Sequence, residues 1–256
     1  MATLPAGTVS FLFSDIEGST RLLQQLGDAW GDVLAQHRRL LREAVATTEG
    51  REVDNQGDAF FFVFGRARDA TAAATAGQRA LVEHAWPENA EVRVRMGIHT
   101  GEPSVGDEGY LGLDVVRAAR ICSAAHGCQV LVSETTRALV GDAEFVDLGR
   151  HRLKDIEAEQ HLYQLVVPGV PTDFPPLQTL DAAQEVGPLA MTGYDAEHTR
   201  RSADEMAARI QAGVDRMLAE AGVPGYAPVG PAAGPPPRPS LLRRLLGRSS
   251  SSKPSG

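Results

Sequence analysis

Residues 13–20 read Phe13-Ser14-Asp15-Ile16-Glu17-Gly18-Ser19-Thr20 and continue a β-rich apolar run, Thr8–Ser14 (TVSFLFS). An apolar strand that ends in an aspartate and a small-residue turn predicts a strand–turn–helix unit. Gly18 or Ser19 can open the helix. Leu22, Leu23, Leu26, Trp30, Val33, Leu34, Leu40 and Leu41 give it an apolar face, and Gly50 can close it. The free N–H groups of a helix start, helped by the helix dipole, suit phosphate. An aspartate just before them suits the magnesium that phosphates carry.

Downstream, Arg51–Asn55 and Ala59–Phe64 are strand-like and are joined by Gln56-Gly57-Asp58, the pattern of a hairpin. A hairpin beside the first strand brings Asp58 close to Asp15. Two carboxylates sharing two Mg²⁺ ions suit phosphoryl and nucleotidyl transfer. Each aspartate also has a plainer reading, Asp15 as a helix N-cap and Gly57-Asp58 as ordinary turn chemistry. The remaining pattern predicts a helix at Ala70–His84, a strand at Val92–Thr100, a polar loop at Gly101–Leu111 and a helix at Gly112–Ala125. Strands at Gln129–Ser133, Phe145–Leu148 and His161–Val166 follow, with a short helix at Thr135–Leu139. Strands and helices that return to one sheet predict an α/β fold, a ferredoxin-like sandwich.

Composition narrows the function classes. A net charge of −8 over 256 residues argues against a general nucleic-acid binder, which needs a basic face. Cys122 and Cys128 are too few for a disulfide framework and lack zinc-ligand spacing, so a reducing, cytoplasmic address is expected. The longest apolar run, Ala59–Phe64, is far below the roughly 18 residues that span a bilayer. The first fifteen residues carry no basic segment of a secretory signal. His99 between Ile98 and Thr100 reads as a packed polar residue, and His37, His126, His151 and His161 show no ligand spacing.

Composition also divides the chain. Residues 1–168 read as the globular domain. Residues 169–239 read as a weakly ordered, largely irregular C-terminal extension, with one helix at about 196–221 and a Pro-rich linker. Residues 240–256 form a basic amphipathic tail in which Leu241, Leu242, Leu245 and Leu246 share a helical face. Basic charge beside a leucine stripe suits weak peripheral contact with an anionic membrane, against the plainer reading of a disordered basic tail.

Four blocks resemble a known family: Gly7–Thr20 (GTVSFLFSDIEGST), Val53–Phe64 (VDNQGDAFFFVF), Val94–Gly101 (VRMGIHTG) and Gly112–Ser133. In this order and spacing they look like the catalytic domain of class III nucleotidyl cyclases, the adenylate and guanylate cyclases. The segment Arg152-Leu153-Lys154-Asp155 with Leu162-Tyr163-Gln164-Leu165 fits that domain's last strands. The resemblance covers about residues 5–168.

The resemblance implies a homodimer with shared active sites, two Mg²⁺ or Mn²⁺ ions per site, and ATP (or GTP) as substrate. Asp15 and Asp58 then fall on the metal-binding aspartates, with the Ile16 carbonyl as a further ligand. The amides of Ile16, Glu17, Gly18, Ser19 and Thr20 fall on the phosphate-holding turn. Arg120 falls on the arginine that the partner subunit delivers to the α-phosphate, with Arg117 three positions away. Other positions depart from the family. The ribose-orienting asparagine falls on Val116, the base-reading lysine on Asp54, its partner aspartate on Gly109, and the late phosphate-contacting lysine on Ile156, with Lys154 a substitute two residues earlier. The departures leave two alternatives to an adenylate cyclase: a GTP-using enzyme, or a degenerate domain that binds nucleotide or dimerises without turnover. A diguanylate-forming palm domain would carry a Gly-Gly-Asp/Glu-Glu/Asp-Phe hairpin, which Gln56-Gly57-Asp58-Ala59-Phe60 does not match.

Overall fold

The computed structural model describes residues 5–106 and 109–180. The first strand, β1 (Val9–Ile16), is buried along its whole length. Its alternate side chains face two different layers, which is why both faces of the strand are apolar. Leu12 and Ile16 join one cluster, with the helices α1 (Ser19–Leu26), α2 (Trp30–Ala46) and α3 (Ala67–Glu83). Val9, Phe11 and Phe13 join a second, beneath α4 (Leu113–Ala124). Burying one such Phe or Leu contributes about 1.5–3 kcal/mol.

Seven strands form one mixed sheet. β2 (Arg51–Gln56) and β3 (Ala59–Phe64) make the expected hairpin, and β3 pairs antiparallel with β1. On the other side of β1 lies β4 (Val94–Gly101), antiparallel, in a register that sets Asp15 opposite Arg95. Gly101–Leu111, expected as a loop, instead carries a small ribbon, β5 (Ser104–Gly106) with β6 (Gly109–Leu111). Beyond β4 come β7 (Val130–Ser133) in parallel, then β9 (Gln160–Leu165) and β8 (Phe145–His151), giving the order β2-β3-β1-β4-β7-β9-β8. A short helix, α5 (Glu134–Leu139), follows β7. Helices on both faces of one sheet make the expected ferredoxin-like α/β sandwich.

One helical expectation needs correction. The long helix predicted from Ser19 to Gly50 is two helices, because a 3₁₀ turn at Gly27–Ala29 interrupts it and α2 ends at Ala46. Glycine is a poor helix former, and here it lets the chain change direction between two apolar faces. Gly97 of β4 serves a different need. A Cβ there would lie 2.2 Å from the Cys122 backbone nitrogen, so α4 can rest on β4 only where the strand has no side chain.

Packing continues past the expected border at residue 168. Val170 and Leu177 are buried, the Gln164 side chain donates to the Thr172 carbonyl, and the Gln178 and Leu180 amides donate to the Ala124 and Arg152 carbonyls. The strap 167–180 thus ties α4 to the β8–β9 loop. The expected helix at 196–221, the Pro-rich linker and the basic tail lie outside the described residues. Among the described residues, no helix is long and apolar enough to cross a membrane.

Candidate active site

β1 delivers Asp15 to the face covered by α4, where the residue is only 5% exposed. Arg95, directly opposite on β4 and 1% exposed, grips it with both arms of its guanidinium: Nε donates to Oδ1 at 2.5 Å and a terminal nitrogen to Oδ2 at 2.7 Å. A fork meeting a carboxylate in this way fixes the carboxylate plane. The Cys122 thiol of α4 lies beside the pair, 4.0 Å from Asp15 Oδ1. Burial, then the Asp15 charge, pushes its pKa well above the usual thiol range.

The hairpin brings Asp58 to the same place. Its Oδ2 accepts the Ile16 N–H at 3.0 Å. Burial raises the Asp58 pKa above the usual carboxylate value, and the negative charge of Asp15 raises it further. The two aspartates, 43 positions apart in the chain, therefore share one electrostatic site. The turn that carries Asp58 is held from α2, where Arg38 donates twice to the Gly57 carbonyl, at 2.6 and 3.1 Å.

The phosphate turn is narrower than the sequence implies. The Ile16 N–H is committed to Asp58 and the Glu17 N–H to the Arg93 carbonyl at 2.8 Å. The candidate phosphate donors are thereby reduced to the amides of Gly18, Ser19 and Thr20. Gly18 takes a left-handed conformation (φ 67°), and no side chain caps the helix that follows it. Glu17 points instead to Arg93, at 2.6 Å.

The other candidates are distributed as follows. Arg120 is 8% exposed and donates to Asp155, in the loop between β8 and β9. Arg117, its neighbour on α4, bonds Asp114 and lies 3.3 Å from His99 Nε2, so the two arginines occupy separate environments. His99 is buried between Ser133 and Asp114, as expected for a packed polar residue, and burial lowers its pKa. Asp54 is exposed on the edge strand and accepts from the Asn55 N–H and the Gln56 amide. Val116 is half-buried against the apolar cluster of Ile121 and Leu148, and Gly109 pairs with Gly106 in the small ribbon. Ile156 is buried in that same cluster and cannot reach a phosphate, whereas Lys154 is exposed.

Sequence reasoning missed the Arg95 clamp and the Asp155 partner of Arg120. The signal for Arg95 was a lone arginine inside the apolar strand VRMGI. Nothing local announces Asp155, which lies 35 positions from Arg120.

A ferredoxin-like sandwich with two convergent carboxylates beside an uncapped helix start defines a class of α/β domain suited to phosphate chemistry. Comparison with known proteins narrows the class. A family model of the adenylate and guanylate cyclase catalytic domain matches residues 1–167. An uncharacterized protein of Mycobacterium tuberculosis is 37% identical over 182 residues, 68% of this chain and 61% of that protein. A putative adenylate cyclase of Rhizobium meliloti is 30% identical over 160 residues, 60% of this chain and 27% of that protein. Among solved structures, an adenylate cyclase of Trypanosoma brucei in its monomeric state superposes with a TM-score of 0.64 at 25% identity, covering 69% of this chain and 94% of that one. The adenylyl cyclase CyaB of P. aeruginosa does so with a TM-score of 0.55 at 25% identity, covering 66% and 97%. This chain belongs to the adenylate and guanylate cyclase catalytic-domain family.

Proposed function

We propose that the protein converts ATP to 3′,5′-cyclic AMP and pyrophosphate at sites shared between the two subunits of a homodimer. The observation that carries this reading is the convergence of Asp15 and Asp58, where the Asp58 carboxylate accepts the Ile16 N–H next to Asp15 and the Asp15 charge raises the cost of ionising Asp58. Such a pair fits Mg²⁺ or Mn²⁺, since a cation relieves the repulsion and carboxylates are the oxygen ligands these metals take. Two such ions, when bound, acidify the ribose 3′-hydroxyl and steady the triphosphate.

The chain's own groups do the rest. Asp15, Asp58 and the Ile16 carbonyl hold the metal side, while the Gly18, Ser19 and Thr20 amides orient the β- and γ-phosphates. The 3′-oxygen forms its bond to the α-phosphorus in line as the bond to the pyrophosphate oxygen breaks. Arg120 of the partner subunit offsets charge on the α-phosphate, where a planar, permanently charged group suits the equatorial oxygens. The half-buried Val53 and Phe61, beside the Phe13 ring at 4.4 Å from Phe61, supply an apolar rim for that second subunit.

Base choice rests on Asp54, which when ionised can only accept. It can take the adenine N6 amino group, or guanine N1–H together with its N2 amino group. GTP is therefore the second substrate to test. A non-catalytic, nucleotide-binding module is the competing class, favoured by Val116, Asp54 and Gly109 at reading positions. Purified protein incubated with ATP or GTP and with Mg²⁺ or Mn²⁺ decides the matter. Cyclic AMP above an Asp15→Ala control is expected. No cyclic product under any combination overturns the enzyme reading, and a strong preference for GTP overturns the adenylate assignment.

A further inference from the structure

Resting on the cyclase reading, we infer that Asp155 is a positioning residue: from the loop between β8 and β9 it holds the Arg120 guanidinium in the attitude in which that arginine meets the α-phosphate in the partner subunit's site.

The Arg120 side chain is 9% exposed, whereas the carboxylate it reaches, Asp155, is 57% exposed. Asp155 accepts from one terminal nitrogen, while Nε of Arg120 is buried with no partner among the described residues. A guanidinium is planar, so a charge-assisted bond to one nitrogen limits the rotation of the whole fork. A buried donor left without an acceptor is costly, and an oxygen from outside the chain would satisfy it. Because the Asp155 carboxylate faces water, solvent screens it, and it orients the arginine without quenching its charge. Arg117 is held differently. It pairs with Asp114, three positions earlier on the same helix, an arrangement that needs no loop.

The backbone of the loop points the same way. Asp155 has φ 60°, in the left-handed region that glycine occupies at least cost. A side chain kept on a strained residue points to a use for that side chain. The residues around it are anchored. Leu153 and Ile156 are buried with Ile121 and Ala124 of α4 and with Leu177 of the strap. The Ile156 N–H donates to the Leu153 carbonyl at 3.3 Å, and the Leu180 N–H to the Arg152 carbonyl at 3.2 Å. Two buried anchors thus fix an exposed carboxylate relative to α4, the helix that carries Arg120.

A double-mutant cycle of Asp155→Asn and Arg120→Ala tests this, read by steady-state kinetics of the full-length protein with Mn²⁺ and whichever of ATP and GTP the wild type cyclises. Asparagine keeps the shape and tolerates the left-handed backbone but carries no charge. Asp155→Asn is expected to lower kcat about tenfold or more and leave KM within about twofold, as misplacing a transition-state donor does. In the Arg120→Ala chain the same substitution should change kcat by less than about twofold, because the group it acts through is gone. A pair that serves only the fold would lower kcat by the same factor in both backgrounds, together with the melting temperature. That result overturns the inference. So does an Asp155→Asn chain that fails to fold, a loss confined to KM, or a kcat at or above that of the wild type, which would make Asp155 a brake on Arg120. Absence of cyclic product from the wild type overturns the cyclase reading and this inference with it, whereas failure of the cycle in an active enzyme leaves the cyclase reading intact.

Discussion

Asp58 is held in a state that suits ligand binding better than it suits folding. Its pKa is raised by burial and by Asp15, so the native protein binds that proton more tightly than the unfolded chain does. Stability of the ligand-free protein must then rise as pH falls through the window between the raised and the ordinary value. Asp58→Asn is neutral at every pH and can keep the acceptor for the Ile16 N–H. It should melt above the wild type at pH 7–8, with the gap closing on acidification, while cyclase turnover is lost. A melting temperature at or below the wild type at pH 8 would refute the like-charge reading. Arg120→Ala should cost roughly 10²–10³-fold in kcat, as loss of a preorganised transition-state donor does. An effect confined to KM would place Arg120 in uniform binding instead.

The elements were legible in the sequence where a single period governed them. β3 is an unbroken apolar run and β1 a mostly apolar, β-rich one, α2 and α3 have clear stripes, and the Gln56-Gly57-Asp58 turn announces its hairpin. What failed to show were features set by pairing at a distance. The β5–β6 ribbon is only three residues a side, too short for periodicity to register. The Asp15–Arg95 clamp depends on strand register, which a pattern of period two does not fix between strands far apart in the chain. Both site aspartates could be read because each ends or begins an apolar strand; the partners that orient them could not. The contact between α4 and β4 gives an element-scale test. Gly97→Ala drives a methyl group into the Cys122 backbone and should cost about 1–3 kcal/mol or more, since overpacking against main chain has no soft outlet. Because the same helix carries Arg120, kcat should fall as well, and denaturant unfolding with an activity assay checks both.

At the scale of the whole molecule, the aspartate pair and Arg120 stand on different elements of the sandwich, β1 with the β2–β3 turn against α4. Within one chain Arg120 is engaged by Asp155, not by Asp15 or Asp58. A site completed by a second subunit predicts complementation. Mixed Asp15→Ala and Arg120→Ala chains should regain part of the activity, because one of the two sites in the mixed dimer is intact. No recovery from a confirmed heterodimer would refute the shared site.

The strap of residues 167–180 has a practical corollary. The unit that folds is longer than the unit that is recognisably homologous, since the family match stops at residue 167 while Leu177 fills a seat between α4 and the β8–β9 loop. A chain trimmed to the homology limit would bare that seat and the Ala124 and Arg152 carbonyls, which the strap now satisfies. Trimming after residue 180 should preserve the melting temperature of the full chain, and trimming after residue 167 should lower it and promote aggregation. Equal melting of the two would mean that the strap is a passenger.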